Sequence, residues 1–436
     1  MSSDRSKVRD PKSHKKRKSV CVITNGCIEC RMDCAQLDRF FQESSGFQLS
    51  KDPKTADLIV FKGCAVNQEK EDLSCQIIKV LESNKRPNAE MLVTGCLVKI
   101  LPKLAYDGRE FADLVDQIDR LSRLEGEQNL EANFPYPEFW QDSNGTLDHR
   151  THSQLISKYC HRNPEAPLLR TFPKLHGVLI KLLAKYRRLI DKELLVSRRT
   201  FCIKVCSGCM GNCSYCAIKL ARGRIRSKPL DAVEREFKQG LDQGYKDFAL
   251  VGTDLGDYGK DLGLDLMDLL KKLVAYEANF TLRLRNVNPR WLIPSASLLC
   301  ELLKTGKIGY ILSPVESGSN RVLDRMKRGY RVEDYIEAVR KIRRAYPALI
   351  LKTQIMVGFP GETDEDFRES RDLFKLGLFN YVDVYAFTKR PRTKASRLDG
   401  DVPDKIITKR YRKLLFRSFF QLPLKRRLAF CRLKRR

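Results

Sequence analysis

No run of apolar residues in this chain is long enough to cross a bilayer, and no secretory leader pattern opens it. The first eighteen residues are polar and basic instead, so the sequence predicts a cytoplasmic protein. Acid is missing locally as well: Lys405 to Arg436 carries thirteen Lys or Arg and no Asp or Glu. That absence excludes ion pairing within the segment and leaves its charge for a partner. Met1 to Lys18 has eight basic residues against two acids, and Arg170 to Thr200 has nine against two. These three segments hold 26 of the formal net charge of +28, leaving the rest of the chain nearly neutral. Basic segments appended to a neutral body point to a polyanion, most simply RNA, against the plainer reading of solubilising tails. The cysteines lack an even pairing: there are fifteen, and with no leader they argue for ligation or redox work rather than a disulfide framework. Cys21, Cys75, Cys160, Cys202, Cys300 and Cys431 have no ligand-like spacing and read as small buried hydrophobes.

With 436 residues, 42% of them hydrophobic, the chain has material for two or three domains. Its most informative stretch is Val205-Cys206-Ser207-Gly208-Cys209-Met210-Gly211-Asn212-Cys213-Ser214-Tyr215-Cys216. Cys209, Cys213 and Cys216 are spaced C-x3-C-x2-C on a loop rich in Gly, Asn and Ser, as thiolates sharing a metal cluster are. Three thiolates leave one iron of a four-iron cluster open for chemistry. The alternative is a structural zinc site, with Cys206 as fourth ligand.

The N-terminal third shows three largely apolar runs, Val20–Thr24, Ala56–Phe61 and Glu90–Thr94, of the kind that buried parallel strands have. A Gly-Cys pair follows each: Gly26-Cys27, Gly63-Cys64 and Gly95-Cys96. Loops at the carboxyl ends of parallel strands converge on one sheet edge, so Cys27, Cys64 and Cys96 are expected to meet in space. Cys30 and Cys34 lie close enough to Cys27 to compete as ligands. From Phe201 onward strands and helices alternate regularly, which predicts a β/α barrel or part of one. Its candidate strands are Phe201–Val205, Phe248–Val251, Thr281–Arg285, Gly309–Leu312, Leu349–Met356 and Tyr381–Phe387, with the polar loops after them as the place for chemistry.

These motifs resemble the radical S-adenosylmethionine (SAM) enzymes, and Cys216 to Ser227 is similar to one branch, the methylthiotransferases. Thr24-Asn25-Gly26-Cys27 and Val93-Thr94-Gly95-Cys96 match that family's N-terminal domain. Glu316-Ser317-Gly318-Ser319, Met326-Lys327-Arg328-Gly329-Tyr330 and Val357-Gly358-Phe359-Pro360-Gly361-Glu362-Thr363 resemble its radical SAM domain. There are departures: Cys30 stands where the family has Asn, Cys34 where it has Ser, and Glu316 where it has Gln. The resemblance implies a flavodoxin-like parallel-sheet domain followed by a partial TIM-type (β/α) radical SAM barrel. It implies two [4Fe-4S] clusters, one on Cys209, Cys213 and Cys216 and an auxiliary one on Cys27, Cys64 and Cys96. It implies a SAM site built from Tyr215, Glu316, Ser317, Arg328, Gly358, Gly361 and Glu362. It further implies a flavodoxin or ferredoxin as electron donor and a tRNA adenosine beside the anticodon as substrate. A protein, peptide or metabolite substrate is the alternative, since the family's usual small all-β terminal domain has no counterpart before the basic run at 405–436. A non-enzymatic RNA-binding module with structural metal sites is the second alternative. The expected division is a basic arm (1–18), an α/β domain (19–130), a linker with a basic helical insert (131–200), the barrel (201–404) and a basic tail (405–436).

Overall fold

The computed structural model describes residues 17–101, 105–106, 109–110 and 200–420. Most of the basic arm, the basic helical insert expected within 131–200, Cys160, Cys431 and residues 421–436 lie outside it. The N-terminal unit runs β1 (Lys18–Thr24), α1 (Ile28–Glu43), β2 (Phe47–Leu49), β3 (Leu58–Gly63), α2 (Gln68–Asn84), β4 (Glu90–Gly95) and α3 (Cys96–Ile100). Its four strands form one parallel sheet in the order β2-β1-β3-β4. The expected strands are all present, and short β2 is an addition that the sequence reading did not contain. Both faces of β1 are covered, since Cys21 and Ile23 pack in one apolar cluster and Val20 and Val22 in another. A strand buried on both faces reads as a continuous apolar run, which is why these strands were legible.

The second unit begins with β5 (Thr200–Lys204), the cysteine loop and α4 (Ile218–Arg222), then α5 (Leu230–Asp242) and β6 (Asp247–Val251). It continues through α6 (Leu266–Val274), β7 (Thr281–Leu284), α7 (Pro289–Leu303) and β8 (Ile308–Leu312). It ends with α8 (Asn320–Arg325), α9 (Val332–Ala345), β9 (Ile350–Val357), α10 (Asp364–Asp372), β10 (Tyr381–Ala386) and α11 (Asp404–Phe420). Six parallel strands stand in sequence order, β5-β6-β7-β8-β9-β10, as expected of a partial β/α barrel. Local chemistry sets the helix starts. Asp265 and Asp268 form a capping box on α6, Thr363 and Asp366 another on α10, and Asn288 caps α7 with Pro289 at its first position. The main core lies between the strands and the outer helices, with Phe237 packed on Phe248 (ring centroids 4.6 Å) and on Phe280 (4.9 Å).

Residues 405–420, read from sequence as the start of a basic tail, belong to α11, which packs against the sheet edge. Leu414 is buried, and Arg410 donates to Glu362 at 2.6 Å. Apolar and ion-pairing positions of that segment therefore face inward. Cys21, Cys202 and Cys300 are buried and Cys75 is partly buried, as small hydrophobes are. No described helix is long and apolar enough to cross a membrane.

α1 joins the two units. Cys34, Leu37 and Phe41 pack against β1 and β3, while Met32, with Ile28 and Ala35, packs on Cys202, Ala249 and Val251 of β5 and β6. Buried Arg390, just after β10, binds Glu71 of α2 and donates to Gln68 Oε1 at 3.2 Å, closing the opposite side of the contact.

Candidate active site

Each of the three Gly-Cys pairs sits where its strand ends, so Cys27, Cys64 and Cys96 lie along the same sheet edge. Cys30, one turn into α1, stands among them: its charge is felt by Cys27, Cys64 and Cys96. Pairing with the Cys27 and Cys96 thiols and the Arg222 charge hold Cys30 well below the ordinary thiol range, while the same pairing pushes up Cys27, at the exposed edge, and the buried Cys96. Gly26 makes this possible: a Cβ there would stand 2.4 Å from Cys30 Cβ and 2.8 Å from its Sγ. Cys34, the other competitor named from sequence, is fully buried behind the edge with Val20, Val22, Leu37 and Phe41. Burial pushes its thiol well up, and it takes no part in the group. Asn25 and Ser74 brace the edge by accepting from the Cys64 N–H at 2.9 and 3.1 Å.

Behind these cysteines lies a buried ion cluster with members from both units. Asp33 receives Lys204 at 2.6 Å, Lys62 at 2.9 Å and Arg222 at 2.8 Å. Burial alone would raise the Asp33 carboxyl, but the charges of Arg222, Lys204 and Lys62 outweigh it and hold it well below the ordinary range. The second Arg222 nitrogen, Nη2, donates to Cys30 Sγ at 3.2 Å. One turn earlier in α1, Glu29 accepts from Ser207 at 2.9 Å and from Thr253 at 3.0 Å. Sequence reading did not assign Lys62, Lys204 or Arg222 to a site. The available signal was a lysine breaking each of two otherwise apolar strands, which in a buried strand demands a carboxylate partner.

The second cysteine group is local. The turn at Gly208, with φ of 81°, leaves no room for a side chain, because a Cβ there would fall 1.9 Å from the Arg224 carbonyl. Gly211 N–H donates to Cys209 Sγ at 3.1 Å, and Arg328 Nη1 lies 3.3 Å from Cys213 Sγ. Burial and the Cys213 charge push Cys216 up to about 11, while the backbone N–H groups of Lys219 and Ile218, opening α4, pull the other way. Cys213 and Cys216 thus have positive or N–H partners of the kind that thiolates on an iron cluster use. Cys209, in contrast, also lies 4.0 Å from Asp254, and burial with the Asp254 and Asp257 charges pushes its thiol well up. Cys206 is not part of the group. It is fully buried, with its Sγ 3.6 Å from the Asp254 carbonyl and packed against Gly252, which removes the fourth ligand of the zinc alternative.

Arg328 extends the site. Its Nη1 is 3.4 Å from the Tyr215 hydroxyl, its charge acts on the buried Glu316 carboxylate, and its Nε is buried without a partner among the described residues. Burial raises the Glu316 carboxyl, and the Arg328 charge opposes that rise. Glu316 sits at φ 65°, a left-handed backbone held by its N–H on the Gln354 carbonyl at 2.9 Å; such strain is common at ligand sites. Tyr215 also meets the ring of Phe359, centroids 6.5 Å apart. Of the residues expected around SAM, Tyr215, Glu316 and Arg328 are therefore gathered at the cysteines. The others are engaged within the protein: Ser317 with Ser370 (3.1 Å), Gly361 with the Gly400 carbonyl (2.6 Å), and Glu362 with Arg410 and the Gly358 N–H (2.8 Å).

Asp257, Arg290 and Trp291 were not anticipated. Asp257 accepts from Met210 N–H at 2.7 Å, from Arg290 at 2.6 Å and from Trp291 Nε1 at 2.7 Å, so it fixes the cysteine loop. Burial and the adjacent Asp257 push Asp254 up to about 6.

A parallel partial barrel whose first loop presents three N–H-supported cysteines beside a buried Arg-Tyr-Glu array defines a radical SAM enzyme. Residues 203–374 match the Radical SAM superfamily, and residues 19–115 match the Uncharacterized protein family UPF0004. Among solved structures, the radical S-adenosylmethionine methyltransferase TsrM from Kitasatospora setae shares the fold, with a TM-score of 0.53 at 16% identity over 87% of this chain and 77% of that one. The chain is 32% identical to the threonylcarbamoyladenosine tRNA methylthiotransferase MtaB of Thermotoga maritima, over 89% of its own length and 79% of the relative's. It is 27% identical to the ribosomal protein uS12 methylthiotransferase RimO of Carboxydothermus hydrogenoformans, over 90% and 81%. The chain belongs to the radical SAM methylthiotransferase family, whose cofactors are SAM and [4Fe-4S] clusters. A non-enzymatic RNA-binding module is thereby set aside.

Proposed function

We propose that this protein places a methylthio group on a C–H bond of a tRNA adenosine near the anticodon, in the cytoplasm. Cys209, Cys213 and Cys216 hold one [4Fe-4S] cluster, and Cys27, Cys64 and Cys96 hold the auxiliary one. The N-terminal domain (19–130) handles sulfur and the barrel (201–404) generates the radical. The observation that carries this reading is Arg222. It ends the five-residue helix that follows Cys216, an advance of about 7 Å. From there it donates to Cys30 among the N-terminal cysteines. Two thiol groups on the two sides of one short helix suit a reaction in which hydrogen abstraction and sulfur delivery meet at one carbon.

When bound, SAM with a reduced cluster supplies hydrogen abstraction from an unactivated C–H bond, and the auxiliary cluster supplies sulfur. The protein's own residues do the rest. Gly211 N–H, Arg328 and the start of α4 hold the thiolates. Arg328 offers a permanent charge to a carboxylate and Glu316 an acceptor to a hydroxyl, which matches the amino-acid and ribose ends of SAM. Tyr215 and Phe359 wall the space between them and exclude water. A flavodoxin or ferredoxin is the fitting class of electron donor.

The net charge of +28 and the tRNA named for the Thermotoga relative support an RNA substrate. The test is mass spectrometry of tRNA nucleosides from cells with and without the gene. Loss of a methylthio-adenosine is the expected result. An unchanged nucleoside profile with a lost methylthio group on a protein points to the alternative that the RimO relative represents.

A further inference from the structure

We propose that Cys30 is a fourth thiolate donor at the auxiliary site, capping the iron that three cysteines would leave open. This rests on the assignment of Cys27, Cys64 and Cys96 to that cluster. Three observations place it there. Cys30 is buried in the first turn of α1, the helix that Cys27 opens, so it stands at the sheet edge that carries Cys27, Cys64 and Cys96. Gly26 gives up its side chain where a Cβ would overlap Cys30, so the strand-end turn is shaped around this thiol. Arg222, anchored on Asp33, holds its Nη2 3.2 Å from the Cys30 sulfur, which favours the thiolate that ligation needs. Cys34 meets none of these conditions.

Four thiolates saturate a four-iron cluster. Loading such a cluster with sulfide would then exchange one iron–thiolate bond for an iron–sulfide bond, with no change of oxidation state. Cys30 is the thiolate with somewhere to go, because the Arg222 guanidinium stands ready for the released sulfur. The N-terminal site would thus rest closed and open on demand, whereas the barrel site, without such a thiol, rests open.

The test uses the full chain carrying Cys209→Ala, Cys213→Ala and Cys216→Ala, reconstituted anaerobically so that only the auxiliary cluster remains. The reduced protein is treated with ¹³C-labelled cyanide and examined for ¹³C hyperfine coupling. The expected result is no coupling while Cys30 is present, and clear coupling once Cys30→Asn or Cys30→Ala is added. Mössbauer spectra of the protein with Cys30 intact need no further substitution; four equivalent iron environments are expected. ¹³C coupling in the presence of Cys30, or one inequivalent iron in four, overturns the cap and leaves the auxiliary cluster in place. A triple variant that binds no iron overturns the cap together with the site on which it rests.

Discussion

The two cysteine groups differ in how they are completed. Cys209, Cys213 and Cys216 occupy one loop, and every partner found for them (Gly211, Arg328, Asp254, Asp257) belongs to the barrel. Cys27, Cys64 and Cys96 come from three strand ends of the N-terminal sheet, yet two of the three cations behind them, Lys204 and Arg222, come from the barrel. The charge balance is opposite as well. Asp33 faces three cations and is held far down, while Asp254 and Asp257 share Arg290, and Asp254 rises to about 6. The barrel cysteines draw their sulfur partners from the barrel and lean on the other unit through Glu29, which accepts from Ser207 and Thr253. The N-terminal cysteines depend instead on two of the barrel's buried cations. Docking of the two units is therefore part of completing the surroundings of the N-terminal cysteines.

The sharpest way to break the comparison is to remove one group at a time. Cys213→Ala is expected to reduce iron from about eight to about four per chain and to abolish 5′-deoxyadenosine formation from SAM. Cys96→Ala is expected to lose a similar amount of iron, keep 5′-deoxyadenosine formation and lose the methylthio product. Iron analysis with product quantification reads both.

Next is the shared ion cluster. Asp33→Asn leaves Lys62, Lys204 and Arg222 buried without their carboxylate, and is expected to cost about 3–5 kcal/mol at neutral pH by denaturant titration. The sign of its pH dependence follows from a folded-state pKa below the unfolded one. The Asp33 contribution is full above roughly pH 4 and fades only as pH falls through the lower folded value. The difference between wild type and variant should accordingly be the same at pH 7 and pH 5.

Arg222→Lys keeps a charge but loses the fork that spans Asp33 and Cys30. A loss of about 1.5–3 kcal/mol in domain docking is expected, together with a larger drop in auxiliary iron than in barrel iron. The smallest effect concerns substrate. Deleting residues 421–436 removes seven Lys or Arg. It is expected to flatten the salt dependence of tRNA binding in gel shifts while leaving both clusters intact.

The parts legible in sequence were those governed by local rules. Val20–Thr24 and Phe248–Val251 are apolar runs in fully covered strands, and Cys209 to Cys216 is a contiguous ligand loop. That Cys27, Cys64 and Cys96 stand at one sheet edge was legible through a single topological rule applied to three Gly-Cys pairs. Long-range pairing was not legible. Nothing local to Lys62 or Lys204 says that both point at Asp33, and the choice between Cys30 and Cys34 depends on which helical turn reaches the sheet edge. The role of α11 was missed because its basic composition masked Leu414 and Arg410, which turn inward.

The central claim is that one chain assembles two four-iron clusters on either side of Arg222. Iron and sulfide analysis with Mössbauer spectroscopy of the anaerobically reconstituted wild type and of the Cys209→Ala, Cys213→Ala, Cys216→Ala variant tests it directly. The account predicts about eight irons per chain falling to about four, all in [4Fe-4S] form. A wild type holding a single four-iron cluster, or a triple variant holding none, would contradict it.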